Sequence, residues 1–283
     1  MKILITGASG RLGREIVKFL QEHYELVALT RTPFPTLRGV TSYVVDLAHP
    51  TQFSKIVASE KPDAIIHLAA ILGPVCESNP VLTEKINVEA TKQLAELASQ
   101  HGVKKFVFAS TSAVYNQAEL SPTNESDNID PQSTYGKSKL KAEEILQDLS
   151  LNSSTQFITL RIFNIYGAGF EDSLVYKLIH STPDRPIMLL GLDTYYRDYI
   201  HIDDVVKVFK SCIEGAQEDK YIVMNIGSGK AVSNRDLVDA LVKNGLSPSY
   251  ASSQSTLSVS WANIAKAKKE IGFNPAIGII IDR

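Results

Sequence analysis

Short apolar runs alternate with amphipathic stretches along most of the 283-residue chain. Apolar runs too short for a helix predict buried strands, whereas apolar residues that recur every three or four positions predict helices. The predicted strands are residues 3–5, 25–30, 41–46, 63–68, 104–109 and 155–162, and the predicted helices are 11–22, 51–59, 83–100 and 133–149. This alternation predicts an α/β fold of the Rossmann-like kind, a doubly wound parallel sheet with helices on both faces.

Three glycines stand between the first predicted strand and the first predicted helix. Gly7, Gly10 and Gly13 have the spacing G-x-x-G-x-x-G, with Arg11 and Leu12 between the last two. Such a turn directs helix N–H groups and the positive end of the helix dipole at one place, where a pyrophosphate can bind. Glycine permits the tight turn and the close approach of a ligand. A plain tight turn also uses glycines, but this position between strand and helix predicts a dinucleotide site.

The regular alternation ends after residue 167. Helix candidates 173–180, 203–214 and 236–243 are mixed there with short strands such as 221–226. This pattern predicts a smaller, partly interleaved C-terminal substrate lobe over the carboxyl edge of the sheet, where ligands of open α/β sheets bind. We expect residues 1–166, with 199–226 returning to them, to form the dinucleotide-binding domain, and residues 167–198 and 227–283 to form the lobe.

Composition narrows the classes of partner. The formal net charge of −2 leaves no basic footprint, so we expect no nucleic-acid partner. Two cysteines offer no disulfide framework, and the six histidines show no metal-ligand spacing, so no metal is expected. No apolar run is long enough to cross a bilayer, and we expect no membrane association. The sequence opens directly on the first predicted strand, and we expect no signal peptide and a cytoplasmic location.

The end of the second predicted strand bears on the choice of dinucleotide. NAD sites of this kind place Asp or Glu there, whereas this chain has Thr30 and Arg31. A guanidinium binds a 2′-phosphate well, and Arg11 is a candidate second cation for the same group. We therefore expect NADP, with NAD as the alternative. Asp46, which ends the third strand, is a candidate acceptor for the adenine amino group, or else a turn or helix-capping acid.

Tyr135 and Lys139 are candidates for proton transfer. They lie four residues apart in a predicted helix and so share one face. A neighbouring ammonium lowers the pKa of a phenol, which makes tyrosine a usable acid or base. The pair alone is common on exposed helices, but hydroxyl residues also end the fifth predicted strand. Thr111 and Ser112 could bond a reacting oxygen at that edge.

These features belong to a series of short motifs in fixed order. They are GASGRLG, HLAA, INVEAT, FASTSAVY, YGKSK, RIFNIYG, RDYIHIDDV and NIGSG. Over almost its whole length the chain resembles an extended short-chain dehydrogenase/reductase of the NAD-dependent epimerase/dehydratase family, whose usual substrates are nucleotide sugars. Several motifs in order are far more specific than any one of them.

The resemblance implies a role for each matching residue. It implies catalysis by Thr111, Tyr135 and Lys139. It implies substrate binding by Thr111, Ser112, Asn164 and Arg197. It implies cofactor binding by Gly7, Gly10, Arg11, Leu12, Gly13, Arg31, Asp46, Leu47, Leu68, Ala69, Ala70, Asn87, Tyr135, Lys139 and Phe163. It also implies a homodimer in which the helices 83–100 and 133–149 form a four-helix bundle.

Departures from the family pattern narrow the expected reaction. Sugar 4,6-dehydratases carry Asp-Glu after the catalytic threonine, where this chain has Ser112 and Ala113, so dehydration is disfavoured. The 4-epimerases typically carry the acid that the second strand lacks. We therefore expect NADPH-dependent reduction of a 4-keto sugar nucleotide, with Tyr135 exchanging the proton. The alternatives are a UDP-glucose 4-epimerase-like enzyme with tightly bound NAD and a non-catalytic dinucleotide-sensing regulator, although a regulator would be expected to lose the Tyr-Lys pair.

Overall fold

The computed structural model describes residues 1–116, 121–127 and 129–278, so the last five residues of the predicted lobe lie outside it. Its strands are β1 (Lys2–Thr6), β2 (Glu25–Thr30), β3 (Val40–Val44), β4 (Ala64–His67), β5 (Lys105–Thr111), β6 (Gln156–Ile162), β7 (Asn164–Tyr166), β8 (Ile187–Leu190), β9 (Tyr195–Arg197), β10 (Tyr199–His201), β11 (Tyr221–Ile226), β12 (Val232–Ser233), β13 (Tyr250–Ser253) and β14 (Ser258–Ser260). Its helices are α1 (Arg11–Leu20), α2 (Pro50–Glu60), α3 (Pro74–Ser78), α4 (Pro80–Thr83), α5 (Ala90–Gln100), α6 (Thr134–Ser150), α7 (Leu174–Ile179), α8 (Ile202–Glu214), α9 (Asn234–Lys243) and α10 (Ala265–Ile271).

Within the described ranges, seven parallel strands form the main sheet in the order β11-β6-β5-β4-β1-β2-β3. The chain first builds outward from β1 through β2 to β3, and then crosses back to add β4 on the other side of β1. The strand order therefore reverses between β1 and β4, and ligands of open α/β sheets bind at the carboxyl side of such a point. The predicted doubly wound parallel sheet is confirmed.

Both faces of the sheet are buried, which explains the continuous apolar runs of its strands. On one face, Ile3 and Ile5 of β1 pack in a cluster that includes side chains of α1 and α8. On the other face, Leu4 packs in a cluster with side chains of α2, α5 and α6. Successive side chains of a strand point to opposite faces, so β1 contributes to both clusters.

The helix predicted at residues 83–100 is not one regular α-helix. A π-helical segment, Glu84–Glu89, lies between α4 and α5. Within it Asn87 is 1% exposed, and its amide bonds the backbone of Ile71 on the loop after β4. Such π-helical turns are rare and occur mostly as single turns inside α-helices, so a regular α-helix was the expectation here.

The segments after β7 build smaller layers beside the sheet. There β9 pairs with β12 and β14, and β8 pairs with β13. Their core includes Val175 and Leu178 of α7 together with Leu237 and Leu241 of α9. The chain returns to the main sheet through α8 and β11. The division into domains at the predicted boundaries stays a prediction. Among the helices of the described residues, none is both long and apolar enough for a membrane span.

Candidate active site

A cavity of about 780 Å³ opens at the carboxyl edge of the sheet and is closed on one side by the segments after β7. The sequence-predicted residues that line it are Gly7, Gly10, Arg11, Leu12, Gly13, Arg31, Asp46, Leu47, Leu68, Ala69, Ala70, Thr111, Tyr135, Lys139, Phe163, Asn164 and Arg197. Asn87 and Ser112 are not among its lining residues. One space thus joins the predicted cofactor, catalytic and substrate residues.

The glycine turn between β1 and α1 has no room for larger residues. A Cβ atom on Gly13 would lie 2.2 Å from the carbonyl oxygen of Gly7. Gly7 has a φ of +67°, and a Cβ there would lie 2.8 Å from the backbone nitrogen of Ala69. The N-cap residue of α1 is Gly10, which provides no side-chain cap for the first helical N–H groups. These backbone donors line the cavity, and they fit a pyrophosphate group.

The expected adenosine-ribose end of the cavity has mixed charge. Arg31 follows β2, is exposed and lines the cavity. Asp46 lines the cavity as well, but one carboxylate oxygen accepts from the backbone N–H of Ala48 at 2.9 Å, and the other lies 3.2 Å from the His49 ring. Asp46 therefore forms the turn foreseen as its alternative role, and its negative charge lies at the same end of the cavity as Arg31.

Arg11 bonds a residue of the segment that follows β7. Its guanidinium forms an ion pair with Asp172 and lies 5.4 Å from the ring centroid of Phe170. The side chain therefore ties the glycine turn to the segment between β7 and α7, and its expected role at a 2′-phosphate stays a prediction. Asp172 and Phe170 both line the cavity, and the sequence analysis missed them because no motif includes them.

The start of α6 places Tyr135 beside the end of β5. The hydroxyl of Ser133 caps the helix by accepting from the N–H of Gly136 at 3.0 Å. A Cβ on Gly136 would lie 2.4 Å from the carbonyl oxygen of Ala113, so the helix start fits closely against the turn after β5. Tyr135 and Thr111 both line the cavity. Burial and the nearby Cys76 raise the pKa of the phenol, and the Thr111 hydroxyl opposes that rise.

Lys139 is 1% exposed, and its ammonium lies 4.0 Å from the ring centroid of Phe108. Burial lowers the pKa of Lys139 to about 7, while the charges of Glu143 and Cys76 oppose that change. The sequence analysis expected this ammonium to lower the pKa of Tyr135. In the structure the pKa of Tyr135 is raised instead, because the lysine side chain is directed at the Phe108 ring and burial dominates at the phenol.

Two predicted site residues do not line the cavity, and their roles at the cofactor and the substrate stay predictions. Asn87 donates to Ile71 O at 3.1 Å and to Ser138 Oγ at 3.0 Å, so it joins the loop after β4 to α6. Ser112 begins a single 3₁₀ turn, Ser112–Val114. Ser110, one residue before Thr111, lines the cavity in its place.

The far side of the cavity is formed by β7, β9 and β10. Arg197 is 9% exposed and donates to Tyr196 O at 2.7 Å and to Ser258 Oγ at 3.0 Å. Its guanidinium lies 3.7 Å from the ring centroid of Tyr195, which also lines the cavity. Asn164 is exposed to the cavity and donates to Asp198 O at 2.9 Å. A pre-held arginine beside aromatic rings suits a planar, negatively charged ligand.

His67, the last residue of β4, is a packed residue. Its ring nitrogens lie 2.6 Å from Thr6 Oγ1 and 2.8 Å from Thr91 Oγ1. Burial lowers its pKa to about 3, so the ring is neutral. No cluster of three or more potential metal-ligating side chains occurs among the residues that the structure describes.

The chain is similar over nearly its whole length to several known proteins. A UDP-glucose 4-epimerase of Bacillus subtilis (strain 168) is 29% identical over 321 residues, which cover 99% of this chain and 94% of the relative. The solved structure of MoeE5 in complex with UDP-glucuronic acid and NAD superposes with a TM-score of 0.86 at 28% identity, covering 99% of this chain and 95% of that one. UDP-glucuronic acid 4-epimerase from Bacillus cereus, solved with UDP-glucuronic acid and NAD, gives 0.84 at 26% identity, with the same shares covered.

The names of these relatives favour an epimerase, the alternative of the sequence analysis, over the reductase. They agree with the resemblance that the ordered motifs indicated, and with an enzyme rather than a regulator. A family model described as "NAD dependent epimerase/dehydratase family" matches residues 3–227, which include the whole glycine turn and both catalytic candidates on α6. The chain therefore belongs to the NAD-dependent epimerase/dehydratase family.

Proposed function

We propose that this chain is a 4-epimerase of a UDP-sugar that keeps NAD bound during turnover. The observation that carries the proposal is the single cavity that joins the glycine turn to Thr111, Tyr135 and Lys139. Relatives that cover nearly the whole chain are named as UDP-sugar 4-epimerases, which supports this reaction over other reactions of the family.

The proposed chemistry at the sugar is reversible oxidation at C4. The bound nicotinamide supplies the two-electron acceptor and donor. In this proposal Tyr135 accepts the proton of the 4-hydroxyl while that carbon is oxidised, and returns it after the sugar has presented its other face. Because burial raises the pKa of Tyr135 in the cofactor-free chain, the phenolate form that accepts the proton requires positive charge beside the phenol when the dinucleotide is bound. Thr111 holds the reacting oxygen by a hydrogen bond, and Lys139 supplies positive charge behind the phenol.

The distribution of carboxylates supports epimerisation over dehydration. Elimination of a sugar hydroxyl needs an acid near the reacting carbon. Among the described residues that line the cavity, the carboxylates are Asp46 and Asp172, which lie toward the glycine turn. The positions after Thr111 are Ser112 and Ala113. The reacting end therefore has hydroxyls and a buried ammonium, which suffice for proton exchange at one oxygen.

Two features support NAD that stays bound. The ion pair between Arg11 and Asp172 joins the two walls of the cavity next to the glycine turn, where it hinders release of a pyrophosphate. Asp46 places a negative charge at the same end as Arg31, which offsets the attraction of a 2′-phosphate to that arginine. Arg31 is the observation that favours the second candidate, an NADPH-dependent 4-keto sugar reductase.

One experiment separates the two candidates. The purified chain is denatured and the released dinucleotide is identified and counted. The undenatured chain is then incubated with UDP-glucose, UDP-glucuronate or UDP-arabinose without added cofactor, and the C4 epimers are separated by chromatography. An epimerase releases near-stoichiometric NAD and converts at least one of these sugars. A chain that is purified empty and consumes NADPH only with a 4-keto sugar nucleotide is the reductase.

We also propose the homodimer that the resemblance implies, formed through the helices α5 and α6. These two helices pack against each other on one face of the sheet, and a dimer of this kind would place the same pair of a second copy against them. Sedimentation equilibrium of the purified chain tests this proposal, since a dimer gives twice the mass of the chain.

A further inference from the structure

A buried carboxylate lies directly behind the catalytic candidates of α6. Tyr135, Lys139 and Glu143 are spaced four residues apart, so they follow one face of the helix. Glu143 is only 2% exposed. Burying a carboxylate is costly unless it is paired and hydrogen-bonded, so its partners show what the charge does there.

The first partner of Glu143 is Arg161, on β6. Arg161 is 4% exposed, and its Nε and Nη2 donate to Glu143 Oε2 at 3.0 and 2.7 Å. The second partner is Ser110 on β5, whose hydroxyl donates to Glu143 Oε1. Ser110 directly precedes Thr111 on β5. The carboxylate of Glu143, which is on α6 with Tyr135 and Lys139, therefore also contacts the strand that carries Thr111.

Arg161 also forms hydrogen bonds with residues other than Glu143, and these reach a neighbouring strand of the sheet. Its Nη1 donates to the hydroxyl of Tyr115 at 2.8 Å and to Glu125 O at 2.9 Å. The Tyr115 hydroxyl in turn donates to Asn225 Oδ1 on β11 at 2.7 Å. The Glu143–Arg161 pair therefore links α6, β5, β6 and β11 in one buried network, and a satisfied network of this kind holds its members in a single arrangement.

We infer that the Glu143–Arg161 ion pair is a positioning device for catalysis, which acts through Ser110 to set the separation of Thr111 on β5 from Tyr135 on α6. The inference rests on the proposed function, because that separation matters only if both hydroxyls act on one substrate oxygen. Neither Glu143 nor Arg161 lines the cavity, so the pair acts only through the residues that it holds.

Stability alone does not account for the charges. A buried ion pair can often be replaced by apolar residues of similar volume without loss of stability. Apolar side chains do not reproduce the fixed orientation of the two partners. A guanidinium and a carboxylate form hydrogen bonds in a defined geometry, whereas apolar contacts are not directional. The charge of Glu143 also opposes the burial effect that lowers the pKa of Lys139, which favours the ammonium form behind the phenol.

The test compares two glutamate variants. Glu143→Gln keeps the shape but weakens the pairing, and we expect kcat to fall by about tenfold to a hundredfold, since misplacement of about 1 Å has effects of that size. The KM for the sugar nucleotide and the dissociation constant of the dinucleotide stay within about twofold, because neither contact is altered. Glu60→Gln is the matched control. Glu60 bonds Lys2 at 2.9 Å and Tyr43 far from the cavity, so its loss changes the thermal midpoint but not kcat.

A double variant tests whether the charges matter beyond filling space. Glu143→Leu with Arg161→Met replaces the pair by apolar side chains, but it also removes the partners of Ser110, Tyr115 and Glu125 O, so its thermal midpoint is measured first. A positioning role predicts that kcat, assayed well below that midpoint, is still at least about tenfold lower than in the native chain. A double variant with native kcat overturns the inference, as does Glu143→Gln with native kcat. The native chain is assayed first, so that failure of the proposed epimerase activity is seen separately from failure of the positioning role.

Discussion

The two ends of the cavity are built by different means. The cofactor end is made of backbone, with a glycine turn and two exposed arginines, Arg11 and Arg31, at its rim. The catalytic end is made of side chains, with Lys139 and the Glu143–Arg161 pair almost wholly buried behind Tyr135. Interactions of charges at the rim are screened by water, whereas those of buried charges are screened much less, and a buried charge needs a partner of opposite charge. Substitutions should therefore have larger effects on the rate than on dinucleotide binding.

The largest expected effect is at the proton-transfer group. Tyr135→Phe removes the hydroxyl, and we expect kcat to fall by about 10³-fold, the middle of the range for general acid–base groups. Dinucleotide content of the purified variant should stay near that of the native chain. Tyr24→Phe removes a hydroxyl bonded to Glu214 far from the cavity and serves as the control. Activity of Tyr135→Phe near the native level would assign proton transfer to another residue.

The close packing of the glycine turn at the cofactor end predicts that an added methyl group weakens dinucleotide binding more where it overlaps the backbone more. Gly13→Ala forces a Cβ to within 2.2 Å of Gly7 O, whereas Gly10→Ala brings one only to 3.1 Å of the same atom. We expect Gly13→Ala to weaken dinucleotide binding by at least about fivefold, since relieving such overlap costs about 1–3 kcal/mol. The effect of Gly10→Ala should be clearly smaller. Fluorescence titration with NAD measures both, and equal effects would show that close packing of the turn does not govern binding.

The buried ammonium predicts a pH-dependent stability. Burial lowers the pKa of Lys139 to about 7 in the folded chain, so between pH 7 and about 10 the unfolded chain binds a proton that the folded chain does not. Native stability contributed by this group therefore rises with pH across that window. Lys139→Met should raise the thermal midpoint by at least about 2 °C at pH 7, with a smaller gain at pH 10.

Thermal unfolding at both pH values measures the change. Lys137→Met, at an exposed position of the same helix, is the control and should show no such trend. A gain for Lys139→Met that is equal at the two pH values would contradict the lowered pKa.

The smallest expected effect is at the rim. Asp172→Asn removes the ion pair with Arg11, and we expect dissociation of the dinucleotide to accelerate by at most about fivefold, because an exposed pair contributes at most about 1 kcal/mol. Asp193→Asn is a matched control, since the Asp193–Arg235 pair is similarly exposed but does not line the cavity. Stopped-flow displacement of bound NAD measures both variants, and equal rates would rule out retention by the Arg11–Asp172 pair.

The sequence predicted the features of the fold and the site that depend on residues close together in the chain. Strand and helix periodicity gave the parallel sheet, and the spacing of Gly7, Gly10 and Gly13 gave the turn that the structure shows. The four-residue spacing of Tyr135 and Lys139 placed both in one cavity. These features depend on residues close together in the chain, so one sequence suffices to read them.

The choice of reaction was less well predicted. Lack of an acid after β2, with Arg31 in its place and Arg11 as a candidate second cation, favoured NADPH and a reductase. Asp46 follows a different strand, and its place at the same end of the cavity depends on the pairing of β2 with β3. The combined charge of Arg31 and Asp46 arises at the carboxyl edge of the folded sheet, and no single sequence motif contains both residues.

The sequence by itself determined the α/β fold, the dinucleotide turn and the Tyr135–Lys139 pair, because helical and strand periods are local. Only the tertiary structure decided which partners the charges take. It pairs Arg11 with Asp172, which lies 161 residues away, and it buries Glu143 against Arg161 behind the catalytic helix. Burial sets the strength of a charge and long-range packing sets its partner, and neither quantity is defined until the chain has folded.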